Sequence, residues 1–135
     1  MRSPIERLTE KVIGGDAKKA ALVVSETNLY YLTAFPSTDG ALLLTAEQAY
    51  YLLDFRYAEA ARAKAEGAVV EEFTNLNNSI AALLKKHGIT SVYMEYAALP
   101  YGQAKRFEAL CAENGAEAVL DTTLDDAIRA QRIVK

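Results

Sequence analysis

The sequence predicts an α/β domain of three layers: a mixed, mostly parallel sheet with one antiparallel hairpin and with helices on both faces. First, helical and strand-like segments alternate along the chain without repeats or a low-complexity linker. Second, hydrophobic residues make up 51% and charged residues 24% of the 135 residues, as in one globular domain. Third, the linker Ala46 to Gln48 is short enough for a hairpin, whereas the helical connections predict crossovers between parallel strands.

The first segments alternate helix, strand and helix. The stretch Ser3 to Glu6 is typical of a capping box with a proline at the first helical position, and Gly14-Gly15 ends that helix. An apolar run from Ala20 to Val24 predicts a buried strand. Ser25 is placed to cap a short helix that carries Asn28, Tyr31 and Leu32.

The middle of the chain predicts the hairpin. A loop rich in turn-forming residues spans Phe35 to Gly40, and the strand-like runs Ala41 to Thr45 and Ala49 to Leu53 follow it. An alanine-rich helix is expected from about Phe55 to Glu66, where Gly67 stops it. Val69 to Phe73 reads as the next strand.

The last third predicts three helices and two strands. Leu76, Ile80, Leu83 and Leu84 recur at helical spacing, and Gly88 closes that helix. Strands are expected at Ser91 to Met94 and at Ala116 to Leu120. Between them Pro100 opens a helix, and a final helix starts near Thr123 and continues to the C-terminus.

Composition argues against several classes of function. The net charge of −3, with scattered Lys and Arg, offers no basic surface for nucleic acid. No apolar run approaches the roughly 18 residues of a membrane span, and the N-terminus lacks the apolar core of a signal peptide. One cysteine cannot form an internal disulfide, so we expect a reducing, cytoplasmic compartment.

Residues that would carry catalysis are scarce. The single histidine, His87, is expected at a solvated helix end, and Cys111 on the apolar face of its helix. Glu71 and Glu72 should point to opposite faces of a strand, and Asp125-Asp126 suits the first turn of a helix. No phosphate-binding glycine motif or nucleophile elbow is present. We therefore expect no catalytic, cofactor-binding or metal-binding residue in this chain.

Three polar or aromatic features do not fit simple core or surface positions. Asn28 and Tyr31 share one side of a helical turn, and the loop from Phe35 to Gly40, with Asp39, exposes an aromatic residue. In the stretch Asp54 to Tyr57, Asp54 is placed to cap a helix, and Arg56 to donate to a carboxylate or to loop carbonyls. We favour a polar network that braces the loop over direct contact with substrate.

Taken together, these features resemble one family. The stretch from Ser25 to Phe35 looks like the Asn-x-x-Tyr-Leu-Thr-Gly-Phe segment of creatinase/prolidase N-terminal domains, with Ala34 in place of the usual glycine. Ala41 to Thr45 followed by Leu53 to Tyr57 looks like the family's hairpin and its Asp-x-Arg-Tyr signature. Arg132 to Lys135 resembles the Arg-x-x-Lys segment that leads into a catalytic domain. The similarity covers nearly the whole chain in the right order.

The resemblance implies a ribonuclease-H-like N-terminal domain over 1–135, joined in the parent protein to a C-terminal pita-bread catalytic domain that this chain lacks. Parents of this kind are Xaa-Pro dipeptidases and aminopeptidases with two divalent metals, commonly manganese, cobalt or zinc. The N-terminal domain then helps to build a homodimer and roofs the active site that receives proline-containing peptides. On that view Tyr31, Phe35, Asp39 and Arg56 shape the roof or an interface, while Asn28, Asp54 and Tyr57 are structural, and the fragment alone is inactive.

Two other interpretations remain open at this stage. The chain could be a free-standing binding or scaffolding domain, although the expected unfinished helix at its C-terminus argues against that. Alternatively, the parent could be a creatinase-like amidinohydrolase, which this part of the sequence does not distinguish from a peptidase.

Overall fold

A computed structural model of the chain describes residues 3–133, and it has the predicted mixed sheet with helices on both faces. The strands are β1 (Lys19–Val23), β2 (Ala41–Thr45), β3 (Ala49–Leu53), β4 (Val69–Glu72), β5 (Ser91–Met94) and β6 (Glu117–Val119). The helices are α1 (Pro4–Val12), α2 (Glu26–Thr33), α3 (Phe55–Lys64), α4 (Leu76–His87), α5 (Tyr101–Glu113) and α6 (Thr123–Ile133). Residues 134 and 135, where the last helix was expected to continue, lie outside the described part.

The sheet order is β4-β3-β2-β1-β5-β6, with β2 running against its neighbours. The predicted hairpin is confirmed, because β2 and β3 pair antiparallel with Leu43 opposite Tyr50. A second antiparallel pair joins β1 to β2, although α2 separates them in sequence. The presence of a helix between two strands therefore did not imply a crossover here. The other three pairs, β1–β5, β3–β4 and β5–β6, are parallel as expected.

Helices cover both faces of the sheet, and each face has its own core. One core contains apolar residues of α1, α2, α3 and α6 packed on the alternate strand residues that include Val23 and Tyr51. The other contains residues of α4 and α5 packed on the opposite set, which includes Leu22 and Leu52. This division follows from the period of two along each strand. The three-layer prediction is thereby confirmed.

Most element ends lie within two residues of the sequence-based expectation. The capping box is formed, since the Ser3 hydroxyl accepts from the Glu6 amide at 3.2 Å and the Glu6 carboxylate accepts from the Ser3 amide at 3.0 Å. The helix α3 ends at Lys64 because Ala65 is already extended, with φ −71° and ψ 145°. The strand β6 is shorter than expected, spanning three residues.

Candidate functional site

The residues singled out from the sequence gather at one edge of the sheet. We call it the carboxyl edge, because the parallel strands end there. The loop after β1 leads into α2, the loop after β3 into α3, and the loop after β5 toward α5. The segment from Phe35 to Gly40 reaches the same edge, because antiparallel β2 begins there with Ala41 beside Leu52. In open α/β sheets this is the edge at which ligands bind.

Two carboxylates, the largely covered Asp54 and the exposed Asp39, hold Arg56. Asp54 caps α3 as predicted, accepting from the Arg56 amide at 3.0 Å. The second oxygen of Asp54 accepts from the Arg56 guanidinium at 2.6 and 3.1 Å. Asp39, on the preceding loop, lies 3.4 Å from the same guanidinium. The hydrogen bonds from Arg56 lower the pKa of the Asp54 carboxyl, and in turn Asp54 raises the pKa of Arg56.

Aromatic rings pack beside Arg56 and under the loop that carries Asp39. Phe35 makes edge-to-face contacts with Tyr51 and Tyr57, at 6.4 and 6.5 Å between ring centroids. The guanidinium carbon of Arg56 lies 5.4 Å from the centroid of the Tyr57 ring. Phe35 is half-buried against the core, so the expectation of an exposed aromatic in this loop was wrong. Its contacts anchor the loop to β3 and α3.

Buried hydrogen bonds fix the loop's backbone. The Tyr51 hydroxyl donates to the Phe35 carbonyl, and the Thr33 hydroxyl, also buried, donates to the Leu29 carbonyl at 2.7 Å and accepts from the Phe35 amide at 3.1 Å. Burial raises the pKa of Tyr51, so this phenol remains a donor at neutral pH. The loop from Phe35 to Gly40 is thus held in one conformation, and it presents Asp39 to Arg56.

Two small residues make this loop conformation possible. Ala34 ends α2 in the left-handed region, with φ 65°. Gly40 begins the return to β2 in a crowded place, where an added Cβ would lie 2.5 Å from the Leu53 side chain and 2.8 Å from the Leu52 carbonyl oxygen. Only glycine fits at position 40. At position 34, glycine in place of alanine would relieve the strain of the left-handed backbone.

A second cluster surrounds Glu95, a fully buried carboxylate immediately after β5. One of its oxygens accepts from the amides of Val24 and Ser25, at 2.5 and 2.9 Å. The other accepts from the Ser25 hydroxyl and the Asn28 side-chain amide, both at 2.6 Å. The hydroxyl of Ser25 is thereby engaged with Glu95 and makes no capping bond to α2, so that expectation was wrong. The carboxylate joins the ends of β1 and β5.

Arg132 of α6 completes this second cluster. Its guanidinium donates to the Asn28 side-chain oxygen at 3.0 Å and lies 5.8 Å from the centroid of the Tyr31 ring. Asn28 and Tyr31 therefore share one side of α2, as their spacing predicted. The structure brings Phe35, Asp39 and Arg56 together, and it places Tyr31 with Arg132 instead.

The two sequence positions with reactive side chains lie elsewhere. His87 is half-buried, not solvated as expected, since its Nε2 lies 2.8 Å from the hydroxyl of Tyr50, whose ring it contacts at the other end of the strands. Cys111 is buried as predicted, and that burial raises the pKa of its thiol to about 11. Neither side chain belongs to the carboxyl edge.

The described residues do not fit a metal centre. Within residues 3–133 no group of three or more His, Cys, Asp or Glu side chains is arranged to hold an ion. We therefore assign no residue of this chain to the metals that the family resemblance implies. In the same part of the chain, no helix is long and apolar enough to cross a membrane.

Sequence reasoning missed Glu95 and the separate role of Asp125. Asp125 was assigned only to a helix start, but it also accepts from the Ala97 amide at 3.1 Å in the loop after β5. A charged residue directly after a buried strand was the available signal for Glu95. Its partners lie about 70 residues away in sequence, so local patterns could not reveal them.

Comparison with known proteins identifies the fold and family. The sequence model of the creatinase/prolidase N-terminal domain matches residues 6–134. A Bacillus subtilis (strain 168) protein, described as uncharacterized peptidase YqhT, is 27% identical over 93 residues, which are 68% of this chain and 26% of that protein. The chain thus spans about a quarter of the length of that relative.

Solved structures agree with this match. Aminopeptidase P from Streptococcus thermophilus superposes with a TM-score of 0.80 at 21% identity, over 93% of this chain and 95% of the other. The Xaa-Pro dipeptidase from Bacillus anthracis superposes with a TM-score of 0.77 at 25% identity, over 93% of this chain but 35% of the longer one. These findings do not favour the free-standing scaffold or the amidinohydrolase parent. The chain belongs to the creatinase/prolidase N-terminal domain family.

Proposed function

We propose that this chain is the accessory N-terminal domain of a metal-dependent Xaa-Pro peptidase, where it roofs the active site and contributes to a homodimer. The parent would be a cytoplasmic enzyme that cleaves the bond before proline in short peptides. Two divalent metals, manganese, cobalt or zinc, would reside in a C-terminal catalytic domain, where they activate a water molecule. This chain would supply shape and charge around the entrance, not the bond chemistry.

The Asp39–Arg56–Asp54 cluster is the observation that supports this role. Its arginine is 57% exposed, yet two carboxylates and the Tyr57 ring hold it in place. An isolated surface ion pair contributes little stability, so an exposed guanidinium held this firmly is better explained by contact with another surface or a peptide. Its position at the carboxyl edge of the sheet fits a roof over an adjoining domain.

Arg56→Ala in the full-length protein tests the proposal. We expect a higher KM for Xaa-Pro peptides, or weaker dimerisation by analytical ultracentrifugation, with the fold retained. Arg62→Ala is the matched control, because Arg62 is exposed on the same helix α3 but lies in its last turn. Kinetics and dimerisation equal to the wild type in both variants would reject the roofing role.

A further inference from the structure

A groove of about 340 Å³ lies beside the Glu95 cluster. Its lining consists of one residue of α2 and four of α6, namely Asn28, Asp125, Ile128, Arg129 and Arg132. The four residues of α6 occur at i, i+3, i+4 and i+7, so they form one continuous face of the helix. This face carries a carboxylate at one end and guanidinium groups at the other.

The groove lies where the sheet topology favours a ligand. The strands β1 and β5 are neighbours, but the chain leaves β1 toward β2 and leaves β5 toward β6, on the other side. Helix α2, which follows β1, packs in one core, and α5, which follows β5, packs in the other. The two connections therefore run over opposite faces of the sheet. Such a point of reversal opens a crevice at the carboxyl ends of the strands, which is the usual ligand position in open α/β sheets.

Asp125 is a half-buried carboxylate in the lining of the groove. It accepts from the Ala97 amide at 3.1 Å, and within residues 3–133 it forms no ion pair. Burial raises its pKa, with the nearby Glu95 charge contributing. The adjacent Asp126 differs, because it is exposed and pairs with Arg129 at 3.0 Å. An ammonium group bound in the groove would neutralise the negative charge of Asp125.

Arg132 is positioned to receive an anion. The Asn28 side chain is fixed at both ends, since its nitrogen donates to Glu95 at 2.6 Å and its oxygen accepts from Arg132 at 3.0 Å. The guanidinium also lies over the Tyr31 ring. A guanidinium has five N–H donors, and Asn28 accepts from one, so others remain for a carboxylate.

The spacing matches a short peptide. Asp125 and Arg132 are seven residues apart on α6, or about 10 Å along the helix axis. An extended chain covers about 3.3–3.6 Å per residue, so about three residues span this distance. We infer that the groove binds a free tripeptide by both termini, with the ammonium group at Asp125 and the carboxylate at Arg132.

The inference deepens the proposed function and rests on it for the origin of the peptide, but binding is measurable on this chain alone. Amide resonances of the ¹⁵N-labelled chain would be followed during titration with Ala-Pro-Ala to about 10 mM, above the millimolar Kd expected for so small a ligand. We expect shifts at Ala97 and along α6. N-acetyl-Ala-Pro-Ala and Ala-Pro-Ala-amide should each bind at least about tenfold more weakly, because one charged contact is lost.

Two variants assign the termini. Asp125→Asn keeps an oxygen for the Ala97 amide and removes the charge, so it should abolish the preference for the free amine over the acetylated peptide. Arg132→Gln should abolish the preference for the free carboxylate over the amide. Glu117→Gln is the control, since that exposed side chain lies on β6 and does not line the groove, and it should bind like the wild type.

Several results would overturn the inference. These are no binding by 10 mM, equal binding of free and blocked peptides, shifts that cluster away from α6, or a Glu117→Gln variant that behaves like Asp125→Asn. Any of them, found together with Arg56-dependent peptidase activity in the full-length protein, would reject the groove and leave the proposed function standing.

Discussion

At the scale of single residues, Ala34 is the position at which sequence and backbone disagree. Its left-handed conformation, with φ 65°, suits the glycine that the family usually carries there. The sequence shows only that alanine replaces the usual glycine, and the structure shows that this position has the positive φ at which alanine is strained. The side chain is exposed, so no packing is lost by its removal.

Ala34→Gly should therefore stabilise the domain. We expect the free energy of unfolding to rise by about 0.5–1 kcal/mol. This is the strain energy of a left-handed alanine minus the cost of the greater conformational entropy that glycine gives the unfolded chain. That corresponds to a rise of about 2–4 °C in Tm by differential scanning calorimetry. Ala65→Gly is the matched control and should destabilise, because Ala65 also ends a helix but has φ −71°. A Tm that falls in both variants would contradict the strain.

Asp54 gives a residue-scale prediction in pH. Its pKa is lowered in the folded state by Arg56, so the stability that it contributes is present above the ordinary Asp pKa of about 3.9 and is lost as pH falls through the lower folded value. Asp54→Asn keeps a good capping residue but loses the ion pair. The variant should be less stable than wild type in urea at pH 7, and the difference should shrink below about pH 4. A difference independent of pH would show that the charge is not responsible.

At the scale of elements, Glu95 connects β1, α2 and β5. Sequence periodicity predicted each of these elements, because their apolar residues repeat locally, but it carried no information on a carboxylate bonded to residues about 70 positions earlier. The hairpin was predictable from a three-residue turn, whereas the antiparallel β1–β2 pair was not, since α2 intervenes. Local sequence patterns therefore did not predict the long-range strand pairing or the buried polar contacts.

Removing Glu95 should loosen this connection. Glu95→Ala leaves four donors without an acceptor and should cost about 3 kcal/mol in free energy of unfolding. Glu95→Gln keeps the volume but directs an amide N–H toward other donors, at about 1–2 kcal/mol. Glu117→Gln on β6 is the exposed control and should change little. Chemical denaturation measures all three, and a Glu95→Ala variant as stable as the control would disprove the structural role of the cluster.

At the scale of the whole molecule, two cores on either side of one sheet hold the carboxyl edge in place. Cys111 reports on the core that contains α4 and α5, because it is 3% exposed there and the pKa of its thiol is about 11. At pH 8 its reaction with a disulfide reagent such as DTNB should be at least about a hundredfold slower than that of an unfolded control. The reason is that only a small fraction of the thiol is ionised at this pH and the side chain is shielded from solvent. Denaturant should remove the difference. A native rate equal to the unfolded rate would mean that this core is open.

The fold class, the helices on both faces of the sheet and the Asp54 cap were accessible from the sequence, because they follow from periodicity and capping. Arg56 was expected to donate to a carboxylate or to loop carbonyls, but its partner Asp39 was not identified. The groove was not, since Asn28 and α6 lie about 100 residues apart and meet only through tertiary packing. The half-buried positions of Phe35 and His87 likewise depend on partners distant in sequence, Tyr51 and Tyr50.

The most direct test of the central claim is the reading frame beyond Lys135 in the natural gene, together with an assay of its full product on an Xaa-Pro peptide with and without a metal chelator. The account predicts that the frame continues into a domain with two Asp, one His and two Glu as metal ligands, and that the chelator stops cleavage. A frame that continues without those ligands, or stops, would contradict the assignment of this chain to a metal-dependent Xaa-Pro peptidase.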